Sequence, residues 1–323
     1  MLRIAFLGTP EFTLPLLEVC ARLGNLVCVV AQPDRPVGRS GKPQAPPSKR
    51  WAEERGVPVL QPLKVKNGAL AALLADHKPD VAIVAAYGRI LPKDALQTPR
   101  LGCLNVHASL LPKLRGAAPA QWAIARRFAE TGVTLMQMDE GLDTGEMLLQ
   151  RAIPIAQGEH EHAETGESLL VKLGALGAAV LAEGLPLLEQ GGLVGTPQNH
   201  AEATLAPILT RDDGRVDWTK SAQEIDARRR GFSPWPGAFT TLDGAQIKLH
   251  ASMPIDGSPA PGAEGKSALG AGEVILAARD GIDVSCGDGS VLRITELQPE
   301  GKKRMPVHAF LAGHPLAAGT RLG

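Results

Sequence analysis

Cysteine is scarce in this sequence. Cys20, Cys28, Cys103 and Cys286 are scattered, and no two form a C-x-x-C pair. That spacing argues against a zinc or dithiol redox framework and reads as buried free thiols in a reducing compartment, so a cytoplasmic location is expected. An excess of either charge is also absent: 34 basic residues balance 34 acidic ones. The balance argues against indiscriminate nucleic-acid binding, although local basic patches remain compatible with it. Long apolar runs are missing. The opening MLRIAFLGTP is too short in apolar residues for a signal peptide, and no stretch is expected to span a membrane. The dinucleotide fingerprint is missing too. Gly8 stands alone where G-x-G-x-x-G would be needed, so nicotinamide chemistry is not expected.

What is present points to an α/β protein. At 323 residues with 44% hydrophobic content, the chain is expected to form two domains and to bury a core without disulfides or metals. Residues 2–8 form a buried strand in pattern, and Thr9-Pro10 starts a helix with Leu14, Leu17 and Leu23 facing inward. Residues 26–31 give the next strand, so the opening implies a parallel sheet. Further along, the pattern predicts a helix at 51–55, an edge strand at 57–60 and a helix at 67–77 capped by Asn67. A buried strand at 80–86 and a helix at 117–128 follow. Residues 147–155 predict a final strand, and 165–189 a helix that Gly184 and Pro186 kink or end.

Residues 190–207 have linker composition. Beyond them the texture changes to short alternating strands at 272–278, 282–286 and 290–297. Asp280-Gly281 and Asp288-Gly289 join these as tight hairpins, and Asp243-Gly244 joins an earlier pair. The expected organisation is therefore a Rossmann-like, mostly parallel sheet with helices on both faces over 1–189, a linker over 190–207, and a small OB-like β-barrel over 208–323.

Residues 32–50, QPDRPVGRSGKPQAPPSKR, carry five prolines, two glycines and the cations Arg35, Arg39, Lys42, Lys49 and Arg50. Such a composition is not expected to pack as strand or helix. It suits either a solvated connector or a movable loop whose arginines grip phosphates. The runs Arg228 to Arg230 and Lys302 to Arg304 favour an RNA-facing surface on the barrel. His160 and His162, in GEHEHAE, read as a solvated turn, because no third ligand has helpful spacing.

The chemistry concentrates in two stretches. Residues 102–106 read as a short buried strand, and Asn105 and His107 point the same way in extended chain. Residues 133–138 are a second short apolar strand, after which Asp143 lies between Gly141 and Gly145. If the two strands are parallel neighbours, their ends open into one crevice, where open α/β sheets bind ligands. An amide, an imidazole and a carboxylate would then meet as oxyanion donor, proton carrier and orienting or proton-accepting group. Singly, each has a plain structural role as turn cap, core histidine or loop brace. Cys103 reads as a buried strand residue.

These stretches resemble the methionyl-tRNA formyltransferase family over essentially the whole length. The matches are GTPEF at 8–12, QPDRPVGR at 32–39, AAYGRILP at 85–92, NVHASLLPKLRGAAP at 105–119 and ETGVTLMQMDEGLDTGEML at 130–148. RVDW at 215–218, PWPGA at 234–238 and LQPEGKKRM at 297–305 extend them. The resemblance implies that the α-amine of methionyl initiator tRNA attacks the formyl group of 10-formyltetrahydrofolate. It implies catalysis by Asn105, His107 and Asp143, with no metal and no serine nucleophile. The Asp143 charge would favour the protonated imidazole.

By the same resemblance, Ser109, Leu110, Leu111 and Pro112 line the folate pocket, with Tyr87, Gly88 and Ile90 as its facing wall. Arg39 contacts tRNA, joined by Arg35, Lys42, Lys302 and Lys303. A monomer is expected. The chain departs from the family pattern at Ala125 to Phe128 (ARRF), at Ile208, where a lysine is common, and at Ser40-Gly41. Three other readings remain at this point: a formyltransferase for a nucleotide-linked amino sugar, a formyltetrahydrofolate hydrolase, and an RNA-binding module with a silent α/β half.

Overall fold

A computed structural model describes residues 1–36, 41–156, 163–255 and 270–323. The chain divides into two compact units. The first comprises Met1–Pro119, Glu130–Ile153 and Leu170–Ile208, and the second Ala120–Ala129, Pro154–Leu169 and Leu209–Gly323.

The first unit is built on a seven-stranded sheet in the order β5-β2-β1-β6-β7-β8-β9. Its strands are β1 (Arg3–Gly8), β2 (Asn25–Val30), β5 (Val59–Leu60), β6 (Val81–Ala85), β7 (Cys103–His107), β8 (Glu130–Gln137) and β9 (Met147–Pro154). From β5 to β7 every pairing is parallel. Side chains alternate between the two faces. Ala5, Leu7, Ala82, Val84 and Cys103 pack with Leu70 and Leu74 of one helix (Ala69–His77) and Ala95 and Leu96 of another (Lys93–Leu96). On the other face, glycines of the long helix Gly166–Glu189 meet sheet side chains. A Cβ at Gly177 would stand 3.0 Å from Val106, and one at Gly184 would stand 2.7 Å from Leu135. Helices therefore cover both faces of the sheet.

Several expectations change. The strands carrying His107 and preceding Asp143 are antiparallel, with His107 opposite Thr134 and Leu104 opposite Gln137. Helix Gly166–Glu189 does not end at Gly184 or Pro186; at Gly184 close packing on Leu135 offsets the weak helix propensity of glycine. This helix is also long and apolar enough to cross a membrane by composition, with a mean hydropathy of 1.6. Its leucines Leu169, Leu173, Leu181 and Leu185 are buried, so its apolar character serves a core. The cap expected at Asn67 is supplied instead by Gly68, in left-handed conformation with no side-chain hydrogen bond. The proline-rich segment is structured in part. β3 (Arg35–Pro36) pairs with β4 (Pro43–Gln44), and a helix covers Pro47–Glu54. In the two-residue ribbon the prolines face each other, and Arg35 and Gln44 keep the amides. Pro47 opens the helix, where its missing N–H costs nothing.

The second unit holds an antiparallel sheet of β10 (Ala238–Leu242), β11 (Ala245–Ile255), β12 (Val274–Ala278), β13 (Gly281–Ser285), β14 (Val291–Pro299) and β15 (Met305–Pro306). The order is β10-β11-β14-β13-β12, with β15 beside β14. The edge strands β10 and β12 do not pair with each other. Residues 319–323 lie between them: Leu322 N donates to Gly272 O at 2.8 Å and Gly323 N to Thr241 O at 3.0 Å. Inside lies a core that includes Trp218, Ile225, Ile282, Leu292 and Phe310.

Candidate active site

β1 continues to β2 on one side, while β6 leads to β7 on the other. Their carboxyl ends therefore bound a topological switch point, the usual ligand crevice of such sheets. An open hollow of about 480 Å³ lies there, lined by Thr9, Gln32, Arg35, Gln44, Arg50 and Gly88 among others. Gln32 spans its floor, donating to Tyr87 O at 2.9 Å and accepting from Arg89 Nε at 3.2 Å. Of the nearby cations, Lys49 is held by Asp34 at 2.9 Å and Arg50 donates to Ala45 O at 2.9 Å, while Arg35 and Lys42 are exposed.

At the end of β7 the three candidate catalytic side chains converge. Asn105 Nδ2 donates to Asp143 Oδ1 at 3.3 Å, and His107 Nδ1 lies 3.7 Å from the same oxygen. The geometry arises despite the antiparallel β8. The loop after β8 folds back over the face of β7 that carries Asn105 and His107, and Gly116 N donates to Asp143 Oδ2 at 2.8 Å. Asp143 sits at φ +51°, a left-handed backbone that Asp tolerates better than most residues. A Cβ on Gly145 would stand 1.9 Å from Gln137 O, so only glycine lets the loop return so tightly.

His107 is 6% exposed. Its Nε2 lies 3.1 Å from Leu114 O. A carbonyl only accepts, so Nε2 carries hydrogen and Nδ1 is the nitrogen turned toward Asp143. Leu114 offers that carbonyl from a left-handed backbone, φ +61°, which a leucine adopts only under constraint.

The turn after His107 is tied to β8. Thr134 Oγ1 donates to Ser109 O at 2.7 Å and accepts from Leu111 N at 3.1 Å. Ser109 Oγ donates to Lys113 O at 2.7 Å, and Leu111 is buried. Tyr87 is 2% exposed and packs in the core, and its buried hydroxyl has no partner among the described residues. Of the expected folate wall, Ser109, Leu111 and Tyr87 thus point into the protein. Leu110 and Pro112 are half-buried, and Gly88 and Ile90 are exposed. Arg39, His160 and His162 lie outside the described residues.

Composition hid four residues that matter here: Leu114, Arg115, Gln198 and Thr204. The last two lie in the stretch with linker composition, yet Gln198 is 6% exposed and donates to both Asp143 O and Gly145 O. An apolar period cannot reveal a polar side chain buried by hydrogen bonds alone.

Among the described residues no three His, Cys, Asp or Glu side chains cluster as metal ligands. Burial pushes the thiols of Cys28 and Cys103 up to about 12 and that of Cys286 to about 11. Cys20 is raised further still. Iodoacetamide at about pH 8 should therefore leave all of these thiols unlabelled in the native protein, because the thiolate is the reactive species. Mass spectrometry showing rapid labelling of Cys103 would contradict the buried β7.

A protein-family model described as formyl transferase matches residues 2–173, and one described as formyl transferase, C-terminal domain, matches 208–315. The methionyl-tRNA formyltransferase of Myxococcus xanthus (strain DK1622) is 50% identical over 319 residues, covering 99% of this chain and 97% of its own length. Two solved structures share the fold. HypX from Aquifex aeolicus in complex with tetrahydrofolic acid has a TM-score of 0.59 at 23% identity, over 96% of this chain and 47% of that one. An N-formyltransferase from Helicobacter canadensis, in complex with folinic acid and dTDP-3-aminofucose, has a TM-score of 0.64 at 17% identity, over 93% of this chain and 100% of that one.

Proposed function

The chain belongs to the formyl transferase family, and from that premise we propose that it transfers the formyl group of 10-formyltetrahydrofolate to the α-amine of methionyl initiator tRNA. The observation that carries this reading is the convergence of Asn105, His107 and Asp143 at one strand end. The neutral amine attacks the formyl carbon and a tetrahedral oxyanion forms. The Asn105 amide donates to that oxygen, joined by His107 through Nδ1, which stands 3.7 Å from Asp143 while Nε2 stays on Leu114 O. One such donor is typically worth ~3 kcal/mol of barrier in a water-poor site. Asp143 accepts the surplus proton of the amine, directly or through water. The bond from carbon to N10 of the folate then breaks, His107 gives a proton to that nitrogen, and the proton held by Asp143 passes to His107 to restore the pair. Tetrahydrofolate and formylmethionyl-tRNA leave.

Exposed apolar groups border the site and suit a flat pterin: Ile90 is 75% exposed, and Leu142, beside Asp143, is 56% exposed. We place the folate against these, with Gly88, Leu110 and Pro112. The relatives at about 50% identity favour tRNA over an amino sugar as acceptor. The discriminating experiment offers labelled 10-formyltetrahydrofolate with charged initiator tRNA, with an amino-sugar nucleotide, or with water alone. Label appearing on the tRNA supports the reading, and label found only on the sugar or as formate overturns it.

The tRNA side rests on cations. The arginine run at 228–230 is mostly internal, since Arg229 and Arg230 bind Asp226 at 2.8 and 2.9 Å. Arg304 is held by Glu296. Arg228 instead lies 5.6 Å from the Trp122 ring centre, and Arg126 lies 4.6 Å from it. Burial, and then the Arg228 charge, hold Arg126 below its ordinary value. Two like charges on one indole form a ready phosphate site, with exposed Lys302 and Lys303 in the same unit. The second unit then carries tRNA, while Arg35, Arg39 and Lys42 grip its acceptor end. Exchanging Arg126 and Arg228 together for glutamine should raise KM for tRNA roughly tenfold and flatten its salt dependence, leaving KM for folate unchanged. Arg39→Ala should likewise harm use of tRNA far more than folate binding. Equal losses on both substrates would count against these assignments.

A further inference from the structure

We propose that residues 196–206 act as a positioning brace for the formyl-transfer pair, with Gln198 fixing the Asp143 loop and Thr204 fixing the carbonyl that holds His107. The inference rests on the roles given above to His107 and Asp143. It adds two residues that act through the backbone of the Asp143 loop and of Leu114.

The Gln198 amide has a defined orientation. Its Oε1 accepts from Arg115 Nε at 3.1 Å and Nη2 at 2.6 Å. A guanidinium only donates, so the oxygen must face Arg115 and the NH₂ must face away. That NH₂ donates to Asp143 O at 2.8 Å and to Gly145 O at 2.7 Å. Both hydrogens are used, and both grip the loop that presents the carboxylate. Arg115 is itself 7% exposed, so the pair lies away from solvent, where such bonds are strongest.

Thr204 works on the imidazole side. Its Oγ1 accepts from Leu114 N at 2.9 Å. The carbonyl of the same leucine meets His107 Nε2. Leu114 holds a left-handed backbone, and a residue there needs its surroundings to keep it in place. The brace is stitched to this turn by backbone as well. Arg115 N donates to Thr204 O at 2.8 Å, and Ala206 N donates to Arg115 O at 2.6 Å. A Cβ on Gly116 would stand 2.6 Å from Ala206 O, so glycine is what allows the approach. At the far end, Thr196 and Met147 exchange two bonds of 2.9 Å beyond the Asp143 loop. One segment thus sets the separation of Nδ1 and Oδ1, although its side chains do no chemistry.

The test compares Thr204→Val, Thr204→Ser and Gln198→Leu in formyl transfer to whichever acceptor the wild-type enzyme uses. Thr204 is exposed, so Thr204→Val removes the hydroxyl with little threat to folding. For Thr204→Val and Gln198→Leu, kcat should fall roughly 10- to 100-fold, the scale of misplacing a catalytic group by about 1 Å. KM for folate and tRNA should stay within about threefold, because no substrate contact is lost. The pH profile of kcat should shift, since the coupling of His107 to Asp143 changes. Thr204→Ser keeps the acceptor oxygen and should restore turnover. Wild-type kcat and pH profile in Thr204→Val would overturn the brace, as would a loss confined to KM or a failure of serine to rescue. Wild-type transfer to an acceptor other than tRNA would reject the substrate assignment and leave this comparison intact.

Discussion

Asp143→Asn should lower kcat for formyl transfer by about 10²- to 10⁴-fold, the usual range for a positioned acid or base. The substitution preserves shape. An asparagine oxygen can still accept from Gly116 N, so the loop keeps one of its anchors. What disappears is the negative charge opposite Nδ1 and the capacity to take the proton of the amine. KM for either substrate should change little, because the loss falls on the transition state. His107→Ala should cost about as much as Asp143→Asn, and the double variant little more than the worse single one, since residues acting as a unit are non-additive. His107→Ala also strips the Leu114 carbonyl of its donor in a buried site. A stability loss of about 1–3 kcal/mol accompanies that, so thermal unfolding must be measured beside the kinetics. Turnover near the wild-type rate in Asp143→Asn would remove the carboxylate from the chemistry.

Asp226→Ala should destabilise the second unit by about 3–5 kcal/mol, the cost of breaking a buried ion pair from one side. Asp226 Oδ1 accepts from Arg229 at 3.0 and 2.8 Å and from Ser252 Oγ at 2.9 Å, while Oδ2 accepts from Arg230 Nε at 2.9 Å. The side chains of all three charged residues are about a tenth exposed. Alanine would leave two guanidinium groups in a dry setting with neutral partners alone: the Ser252 hydroxyl and carbonyls such as His250 O and Glu164 O. Truncating the exposed Arg100, which pairs with Asp80, should cost less than about 1 kcal/mol by comparison. Trp122, Trp218 and Trp235 belong to the second unit and Trp51 to the first. Tryptophan fluorescence in urea therefore reports mostly on the unit in question. With two units, each transition is fitted separately. A shift below about 1 kcal/mol would mean that the arginines find water or other partners, and that the cluster is not dry.

That cluster marks where sequence reading reached its limit. Three consecutive arginines look like one basic surface on paper. Folding turns Arg229 and Arg230 to Asp226, three and four residues earlier on the same helix (Ala222–Gly231), and leaves Arg228 against Trp122. The proline-rich segment shows the same limit: prolines at 36 and 43 still permit a two-residue ribbon, because the pairing there uses the amides of Arg35 and Gln44. Tyr87 falls in a motif beside the crevice, yet its ring enters the core. A motif fixes the position of the backbone and leaves the direction of the side chain open.

The sequence by itself determined the parallel core of the first sheet, the hairpin character of the second unit and the pairing of Asn105 with His107. Each follows from short-range regularities: buried apolar runs, Asp-Gly turns, and the two-residue period of a strand. Only the tertiary structure decided that β8 runs antiparallel to β7, that the loop bearing Asp143 doubles back to meet the imidazole, and that Gln198 and Thr204 hold both in place. Those contacts join positions tens of residues apart through single polar hydrogen bonds. Such bonds leave no periodic trace in the chain and exist only once the backbone has brought their partners within about 3 Å.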